Sequence, residues 1–238
     1  MEYDKSKLMA VRQLFMPRQD CIGVKIYNVN FGYFLGFSIQ LKQKSIKSLH
    51  EACNSMGVSN VLEVSSNSEN PLGVSLSAFN LSTTSLKLKR RFTVEQAFQS
   101  SKVFEHGGPY IDLLDKTSRE AKKDSRLRTS GNILYFKFFE KKYEKTPPTL
   151  FYDWLYINVL LKNELLIKKF VEYDAFTDIE FNSKKSINCQ AYTLALFKSL
   201  ECNKIDFQEL KDITILKKYC EAEYNHRWQE AQYLMSIS

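Results

Sequence analysis

The segment from Phe92 to Phe104, FTVEQAFQSSKVF, constrains the fold most strongly. Thr93 is a good N-cap residue, and we predict a helix that runs from there to about Phe104 and is ended by the Gly107-Gly108-Pro109 sequence. At 100° per residue, Glu95, Gln99 and Lys102 fall within about 60° of one another on this helix. Apolar residues flank this polar stripe and cover much of the remaining circumference, namely Val94, Ala97, Phe98, Val103 and Phe104.

A helix that is apolar over so much of its surface is usually buried. Glu95 and Lys102 would then be charges inside the protein or on the floor of a cleft. Desolvation costs several kcal/mol for each such charge, so they are retained only with partners, and a ligand pocket is one place that retains them. The alternative is that both lie on the one wet face of an ordinary amphipathic helix.

The chain is basic, with a net charge of +7 and a pI of about 9.0. A basic protein is attracted to polyanions, of which nucleic acid is the commonest. The charge is not concentrated in a long basic arm. The densest basic run, Lys87 to Arg91, is explained equally well by a solvated loop, so a merely basic protein is the alternative.

The cysteines and histidines predict neither disulfides nor a metal site. The five cysteines include no CxxC pair and are odd in number, which favours reduced thiols over a disulfide framework or a zinc knuckle. His50, His106 and His226 form no spaced set of ligands, so we expect no metal and no cofactor. No apolar run approaches the ~20 residues of a membrane span, and Met1 to Lys5 does not resemble a signal peptide. We therefore expect a cytoplasmic protein with no membrane contact.

The periodicity predicts an α+β fold that is mainly helical, with a few short strands in a single domain. Short strands or extended pieces are expected near residues 24–27 and 33–37, and a strand at 61–64. The stretch from Ser65 to Phe79 is expected to be a loop with a turn at Gly73. Residues 133–139 could be strand or helix. Helices are predicted at 45–56, ended by Gly57, and at 119–126, 149–171 and 187–200, with one or two more over residues 206–235.

Five short motifs, in order, resemble those of the NADAR family. The segment Thr93 to Lys102 resembles the family's TVEHYFQAQK helix, and Ser118 to Lys122 resembles its SPREAK segment. The remaining matches are Leu76 to Phe79 (LSNF), Asp153-Trp154 (DW), and Thr177-Asp178 followed by Ser186 to Asn188 (D-x-x-W-G…G-x-N-x-L).

The chain departs from the family pattern after Asp178. Ile179-Glu180-Phe181 stands where Trp-Gly would follow, and the glycines near Asn188 are missing. The N-terminal part, with Arg12 to Phe15, resembles the subgroup found beside DarT-type toxins, which ADP-ribosylate guanine in DNA. We interpret residues 1–60 as an N-terminal extension, 61–202 as the NADAR-like core and 203–238 as a helical C-terminal extension.

The resemblance implies an antitoxin hydrolase that removes ADP-ribose from guanine in DNA. Its substrate would be ADP-ribosylated DNA, and the cognate toxin would be a possible binding partner. The implied catalytic residues are Glu95, Lys102 and Asp178. Lys102 could form a Schiff base with the sugar while Glu95 moves protons, or Lys102 could only stabilise charge while Glu95 or Asp178 acts as base. Both routes remain open.

Eight further residues are candidates for substrate binding: Ser66, Asn67, Ser77, Phe79, Gln99, Arg119, Trp154 and Asn188. The serine-rich loop would suit a diphosphate or ribose, and Arg119 a phosphate. Trp154 would stack on a base, although a core tryptophan is equally expected. Asp178 could equally belong to a solvated acidic loop.

Two other functions remain open. The chain could be an N-glycosidase that acts on phosphorylated metabolites of the riboflavin pathway, or a binding module for ADP-ribose or the toxin with no enzymatic activity. Turnover distinguishes the binding module from the two enzymes. A basic surface beside the pocket would favour nucleic acid over a metabolite.

Overall fold

A computed structural model describes residues 7–86, 89–183 and 186–236 of the chain. Lys87 and Leu88 of the basic run, and Met1 to Lys5, lie outside the described residues. The strands are, in chain order, β1 (Lys7–Pro17), β2 (Val24–Phe34), β3 (Val61–Glu63), β4 (Ser82–Ser85), β5 (Arg90–Thr93), β6 (Lys102–Phe104), β7 (Ile133–Phe138), β8 (Lys141–Glu144) and β9 (Ala175–Thr177). The α-helices are α1 (Ile39–Ser55), α2 (Pro71–Leu76), α3 (Val94–Ser100), α4 (Ser118–Lys123), α5 (Arg126–Thr129), α6 (Leu150–Leu160), α7 (Glu164–Phe170), α8 (Gln190–Cys202), α9 (Ile213–Tyr219) and α10 (Glu221–Ser236).

The fold is α+β and mainly helical, as the sequence predicts. The chain divides into two compact units, each assembled from two separate stretches of sequence. Unit 1 contains residues 1–77 and 165–204, and unit 2 contains residues 78–164 and 205–238. Among the residues described, none of the helices has the length and apolar character that a membrane span needs. The interpretation of residues 1–60 and 203–238 as extensions of a NADAR-like core stays a prediction.

Unit 1 is built on a four-stranded sheet with the order β2-β1-β9-β3. Strands β1 and β2 form a long antiparallel pair from Lys7↔Phe34 to Pro17↔Val24, whereas β3 and β9 run parallel. Helix α1 begins after Ser38, whose hydroxyl accepts from the Leu41 N–H, and it buries its apolar face against the sheet. The core there consists of Leu14, Val29, Phe31, Ile46, Leu49, Cys53, Ala175 and Ile179.

The serine-rich stretch after β3 contains a helix rather than only a loop, which differs from the prediction. Asn70 caps α2 through its side chain, which accepts from the Leu72 N–H, and Pro71 occupies the first turn. Gly73 is not a turn residue here. A Cβ atom at this position would lie 1.9 Å from the carbonyl oxygen of Glu63, so the glycine lets α2 pack directly on the backbone of β3.

Unit 2 contains the β4–β5 hairpin, the sheet β6-β7-β8 and a cluster of aromatic side chains. Phe136 and Phe151 stack with ring centroids 4.4 Å apart, and Phe98 packs against Phe136 at 5.5 Å and Tyr152 at 5.1 Å. These rings join α3 and α6 to β7 in one apolar core. Residues 133–139, left open as strand or helix by the sequence, form β7.

The helix that begins at Thr93 is shorter than predicted. It ends at Ser100, and Lys102, Val103 and Phe104 form β6, in which Lys102 pairs with Phe136 and Val103 with Tyr135. A β-branched and an aromatic residue suit a pleated strand, and the sheet partner satisfies the backbone that a last helical turn would have occupied. The helical periodicity was therefore the wrong basis for placing Lys102.

Two other predicted helices are interrupted. The single helix expected over residues 149–171 is two, because α6 ends at Leu160 and the Asn163 side chain donates to the carbonyl of Val159, at 2.8 Å. The helix expected over residues 119–126 runs instead from Ser118 to Lys123, with Thr117 as its N-cap. The helices expected within residues 45–56, 187–200 and 206–235 are confirmed, with shifted ends.

Helix α10 is anchored on α6 through a buried carboxylate. Asp153 is 1 % exposed and accepts hydrogen bonds from the hydroxyls of Thr149 (2.9 Å) and Tyr224 (3.3 Å). The Arg227 guanidinium lies 3.9 Å from the same carboxylate and donates to the Thr149 hydroxyl. The first residue of the Asp153-Trp154 motif thus holds the C-terminal helix within unit 2.

Candidate functional site

The predicted polar stripe forms a hydrogen-bonded chain of three side chains in unit 2. The amide N–H of Gln99 donates to Oε1 of Glu95 at 2.8 Å, and Nζ of Lys102 donates to Oε1 of Gln99 at 2.7 Å. Glu95 is 4 % exposed and Gln99 is 6 % exposed, while Lys102 is half-buried. The Gln99 amide therefore bridges the carboxylate of Glu95 and the amine of Lys102 and holds them together away from bulk water.

The start of α3 fixes the position of Glu95. Thr93 and Gln96 form a capping box, and the backbone N–H of Glu95 donates to the carbonyl of Ala78 at 2.9 Å. The Ser118 hydroxyl donates to the Phe79 carbonyl at 2.9 Å and lies 2.7 Å from the Thr93 hydroxyl. Three of the motif segments, ending or beginning at Phe79, Thr93 and Ser118, are thus tied together at one point.

Lys102 has an unusual electrostatic environment for a lysine. Burial has the largest effect and lowers its pKa, the Glu95 carboxylate opposes burial, and the Lys122 ammonium adds to it, so that the pKa is about 8. Its Nζ also lies 4.6 Å from the centroid of the Phe98 ring. An amine with a pKa near 8 is partly neutral at physiological pH, which is a requirement for a nucleophilic lysine.

Lys122 is a site residue that we did not predict from the sequence. Its Nζ lies 4.0 Å from Oε1 of Glu95 and 5.0 Å from the centroid of the Phe79 ring. Its side chain is 57 % exposed, so this ammonium is in water, unlike that of Lys102. The Ser118–Lys122 motif could have predicted this position. Ser118 and Lys122 are four residues apart on a helix, so they lie on the same face.

The three other candidates in unit 2, Phe79, Arg119 and Trp154, lie in different environments. The Phe79 ring is half-buried beneath Lys122. Arg119 is exposed in the first turn of α4. Trp154 packs on the ring of Tyr143 at 4.9 Å and donates its indole N–H to the carbonyl of Lys211 at 3.0 Å. These contacts of Trp154 are those of a packing residue.

The remaining candidates lie in unit 1. Asp178 is 8 % exposed and accepts from the Gln190 amide at 3.1 Å and from the backbone N–H of Glu180 at 3.0 Å. Asn67 donates to the Glu180 carboxylate at 3.0 Å. The hydroxyls of Ser66 and Ser77 lie 3.4 Å apart, the first exposed and the second buried. Asn188 is half-buried, and its carbonyl accepts from the Ser186 hydroxyl.

Another buried carboxylate, that of Glu63, supports the Asp178 segment and was also not predicted. Its two oxygens accept from the Thr177 hydroxyl at 2.8 Å and from the Ile179 N–H at 2.9 Å, and burial raises its pKa. His50 lies 2.9 Å from the Thr177 hydroxyl. Glu63 thus binds the residue on each side of Asp178, Thr177 through its hydroxyl and Ile179 through its backbone N–H. No sequence motif marked it, because it lies in a short strand far from Asp178 in the chain.

Within each unit the structure therefore brings a subset of the candidates together. In unit 2, Glu95, Gln99 and Lys102 form a continuous chain, and Phe79 is linked to it through Lys122. In unit 1, Asp178 and Asn67 share contacts with Glu180, and Ser66 meets Ser77.

The comparisons with known proteins agree with the motif series. A family model described as "DarT1-associated NADAR antitoxin" matches residues 10–230. No curated protein is similar enough to this chain to count as a match.

Proposed function

Since the chain belongs to the family of DarT1-associated NADAR antitoxins, we propose that it neutralises a DarT-type toxin as an enzyme, by hydrolysing ADP-ribose from guanine in DNA. The observation that carries this proposal is the Glu95–Gln99–Lys102 chain, in which a buried carboxylate and an amine with a lowered pKa are joined by one amide. Such a pair supplies both a proton carrier and a nucleophile.

The bond to be cleaved joins C1′ of ribose to the exocyclic amine of guanine. On the proposed route, the Glu95 carboxylate relays a proton from water to the ring oxygen, the C1′–O4′ bond opens, and C1′ forms an imine with the guanine nitrogen. The neutral amine of Lys102 adds to C1′, and guanine leaves as its free amine after a proton transfer. The sugar remains attached to Lys102 as a Schiff base. Water then adds to C1′ and releases ADP-ribose in its open-chain aldehyde form, which closes to the ring.

The lowered pKa of Lys102 favours this route. With a pKa of about 8, roughly a quarter of the amine is neutral at pH 7.5, whereas an ordinary lysine is almost wholly protonated there. The alternative route uses the same residues differently, with a water molecule as nucleophile, Glu95 as base and the Lys102 ammonium as a stabiliser of developing charge. Roles for Asp178, Ser66, Asn67, Ser77, Gln99, Arg119, Trp154 and Asn188, and a cytoplasmic location, stay predictions.

The direct test measures ADP-ribose released from an oligonucleotide that carries one ADP-ribosylated guanine. Glu95→Gln is expected to lower kcat by about 10²-fold or more, because Gln cannot carry a proton. Glu164→Gln, at an exposed glutamate in the first turn of α7, is the matched control and should leave the rate unchanged. A wild-type protein that binds the substrate but releases nothing would exclude the enzyme.

Reduction with borohydride tests the Schiff base separately. Borohydride added during turnover should leave an ADP-ribosyl adduct on Lys102, located by mass spectrometry. Lys102→Met should abolish both adduct and turnover, while Lys123→Met, at an exposed lysine of α4, should abolish neither. If no adduct forms while Lys102→Met still loses activity, the direct route is the better description. If Glu95→Gln loses turnover and still protects cells from the toxin, neutralisation rests on binding.

A further inference from the structure

A cleft of about 330 Å³ lies in unit 2 beside the start of α3. It is formed by the end of the LSAF segment, the β4–β5 hairpin and the first turn of the helix. The residues that line it are Phe79, Asn80, Ser82, Arg91, Phe92, Thr93 and Gln96. The proposed reaction uses none of these residues, and only Phe79 among them is a substrate-binding candidate from the sequence, so the cleft has no assigned ligand.

The lining of the cleft favours an anionic ligand with a flat ring. Arg91 is the only charged residue among the seven, and its Nε donates to the Ser82 hydroxyl at 2.8 Å. That bond orients the guanidinium, and its other N–H groups make no further hydrogen bond within the part of the chain that the structure describes. A guanidinium with open donors suits a phosphate, and the half-buried Phe79 ring offers a surface on which a base can stack.

Phe79 also borders the candidate catalytic residues. The Lys122 ammonium lies 5.0 Å from the centroid of the Phe79 ring and 4.0 Å from the Glu95 carboxylate. The backbone also connects the cleft to Glu95. The carbonyl of Ala78 accepts from the N–H of Glu95, and the next residue, Phe79, lines the cleft. A ligand that occupies the cleft is therefore adjacent to a ligand that reaches Glu95.

We propose that this cleft binds the nucleotide next to the modified guanine in a single DNA strand, with Arg91 contacting its phosphate and Phe79 contacting its base. This inference rests on the proposed function and narrows it, because a polynucleotide has such a neighbour and a free nucleotide-like metabolite does not. A phosphate that contacts Arg91 could, however, also belong to the diphosphate of ADP-ribose itself. The test therefore needs substrates that share the ADP-ribose and differ in the neighbouring nucleotide.

Two substrates meet that requirement, ADP-ribosylated deoxyguanosine and a short single-stranded oligonucleotide with the same modified base at its centre. Arg91→Gln is expected to raise KM for the oligonucleotide about tenfold at low salt, with the effect confined to that substrate. The dependence of log(kcat/KM) on log[salt] should also become shallower by about one unit, the slope of one lost phosphate contact.

Arg90→Gln is the matched control. Arg90 is the neighbouring residue of β5, it does not line the cleft, and its guanidinium is paired with Asp115 at 2.8 Å. It carries the same charge change, so an effect of net charge alone would appear in both variants. The proposal requires the KM of the Arg90 variant to stay within about twofold of the wild type.

Two further outcomes with these substrates overturn the proposal. An equal loss on both substrates would assign the cleft to ADP-ribose, and no loss on either would leave Arg91 without a role in binding. If the wild-type protein releases no ADP-ribose at all, the proposed reaction fails, but the cleft is still tested by fluorescence anisotropy with an unmodified single-stranded oligonucleotide. Weaker binding by the Arg91 variant than by the Arg90 variant would support the cleft, and equal binding would exclude it.

Discussion

The amine of Lys102 lies 4.6 Å from the centroid of the Phe98 ring, at the border between the hydrogen-bonded chain and the aromatic core of unit 2. The ring is held in place by Phe136 and Tyr152, whose centroids lie 5.5 and 5.1 Å from it. The face of an aromatic ring attracts a cation, so Phe98 stabilises the charged form of an amine that burial makes less favourable. The Phe98 ring therefore acts with the Glu95 carboxylate against burial and the Lys122 ammonium in setting the protonation state of Lys102.

Phe98→Leu should shift that balance toward the neutral amine. Leucine keeps an apolar side chain but has no π face, so we expect the pKa of Lys102 to fall by up to about one unit. The measurement is the rate at which an amine-reactive reagent labels Lys102 as a function of pH, followed by mass spectrometry. Phe151→Leu is the control, because Phe151 belongs to the same ring cluster and stacks on Phe136 at 4.4 Å. Equal midpoints in the two variants would contradict a specific role for Phe98.

The pH dependence of turnover should distinguish the two chemical routes by its sign. If Lys102 is the nucleophile, the neutral form is active, and kcat/KM should rise with pH up to about 8 and then level off. If the ammonium only stabilises charge, kcat/KM should instead fall as pH passes through about 8. We predict the rise. Lys102→Arg stays charged throughout this range, so it should lack the rise and be inactive on the first route.

Part of this arrangement could be predicted from the sequence, because it depends on local spacing. Glu95 and Gln99 are four residues apart on one helix, so their contact follows from helical geometry alone. The prediction that a helix continues to Phe104 was wrong, yet Lys102 still reaches Gln99, since Ser101 keeps helical backbone angles before β6 begins. The expected proximity of Gln99 and Lys102 is therefore present, although Lys102 lies in a strand and not in the predicted helix.

The other features of the fold and the site depend on contacts between residues that are far apart in the chain. A single sequence does not reveal such contacts. Lys102 lies in a strand because of its pairing with Phe136, which lies more than thirty residues later. Glu63 reaches Thr177 and Ile179 across a parallel strand pair. Gly73 read as a turn signal, but its small size serves the contact between α2 and the Glu63 carbonyl. Tertiary contacts of this kind override local propensity.

His50 should make unit 1 sensitive to acid. The Thr177 hydroxyl donates to Glu63, so the nearby Nε2 of His50 donates to Thr177, and the ring is neutral with its pKa lowered to about 4 by burial. The unfolded chain binds a proton near pH 6.5, so stability should fall as pH drops from about 6.5 to 4, by at most about 3 kcal/mol. The raised pKa of Glu63 opposes this loss, because a carboxyl group that takes up its proton more readily in the folded state adds stability as pH falls towards its unfolded pKa, so the contribution of His50 is measured by comparing the wild type with a variant that lacks only the histidine.

Urea denaturation at several pH values measures this dependence. His50→Gln keeps a side-chain N–H that can donate to Thr177 but cannot titrate, so its stability should fall less than that of the wild type between pH 6.5 and 4. His106→Gln, at an exposed histidine, is the control and should follow the wild type. Parallel curves for all three proteins would show that His50 is not the source of acid sensitivity.

Asp153 gives a prediction that separates a structural role from a role in the site. The family motif places it beside Trp154, but its carboxylate is 1 % exposed and is engaged by Thr149, Tyr224 and Arg227 within unit 2. Asp153→Ala leaves the Arg227 guanidinium without this carboxylate, and we expect unfolding to become easier by about 3–5 kcal/mol. Asp153→Asn retains an acceptor for the hydroxyls and should cost less.

The measurement is again urea denaturation, with activity assayed at a temperature at which each variant is folded. Arg227→Met should reduce the additional cost of losing the carboxylate, so the double variant with Asp153→Asn should be more stable than the sum of the single changes predicts. In the folded state both Asp153 variants should keep wild-type KM and kcat, because the carboxylate is directed at α10. A variant with unchanged stability and no turnover would instead place Asp153 among the residues that act on the substrate.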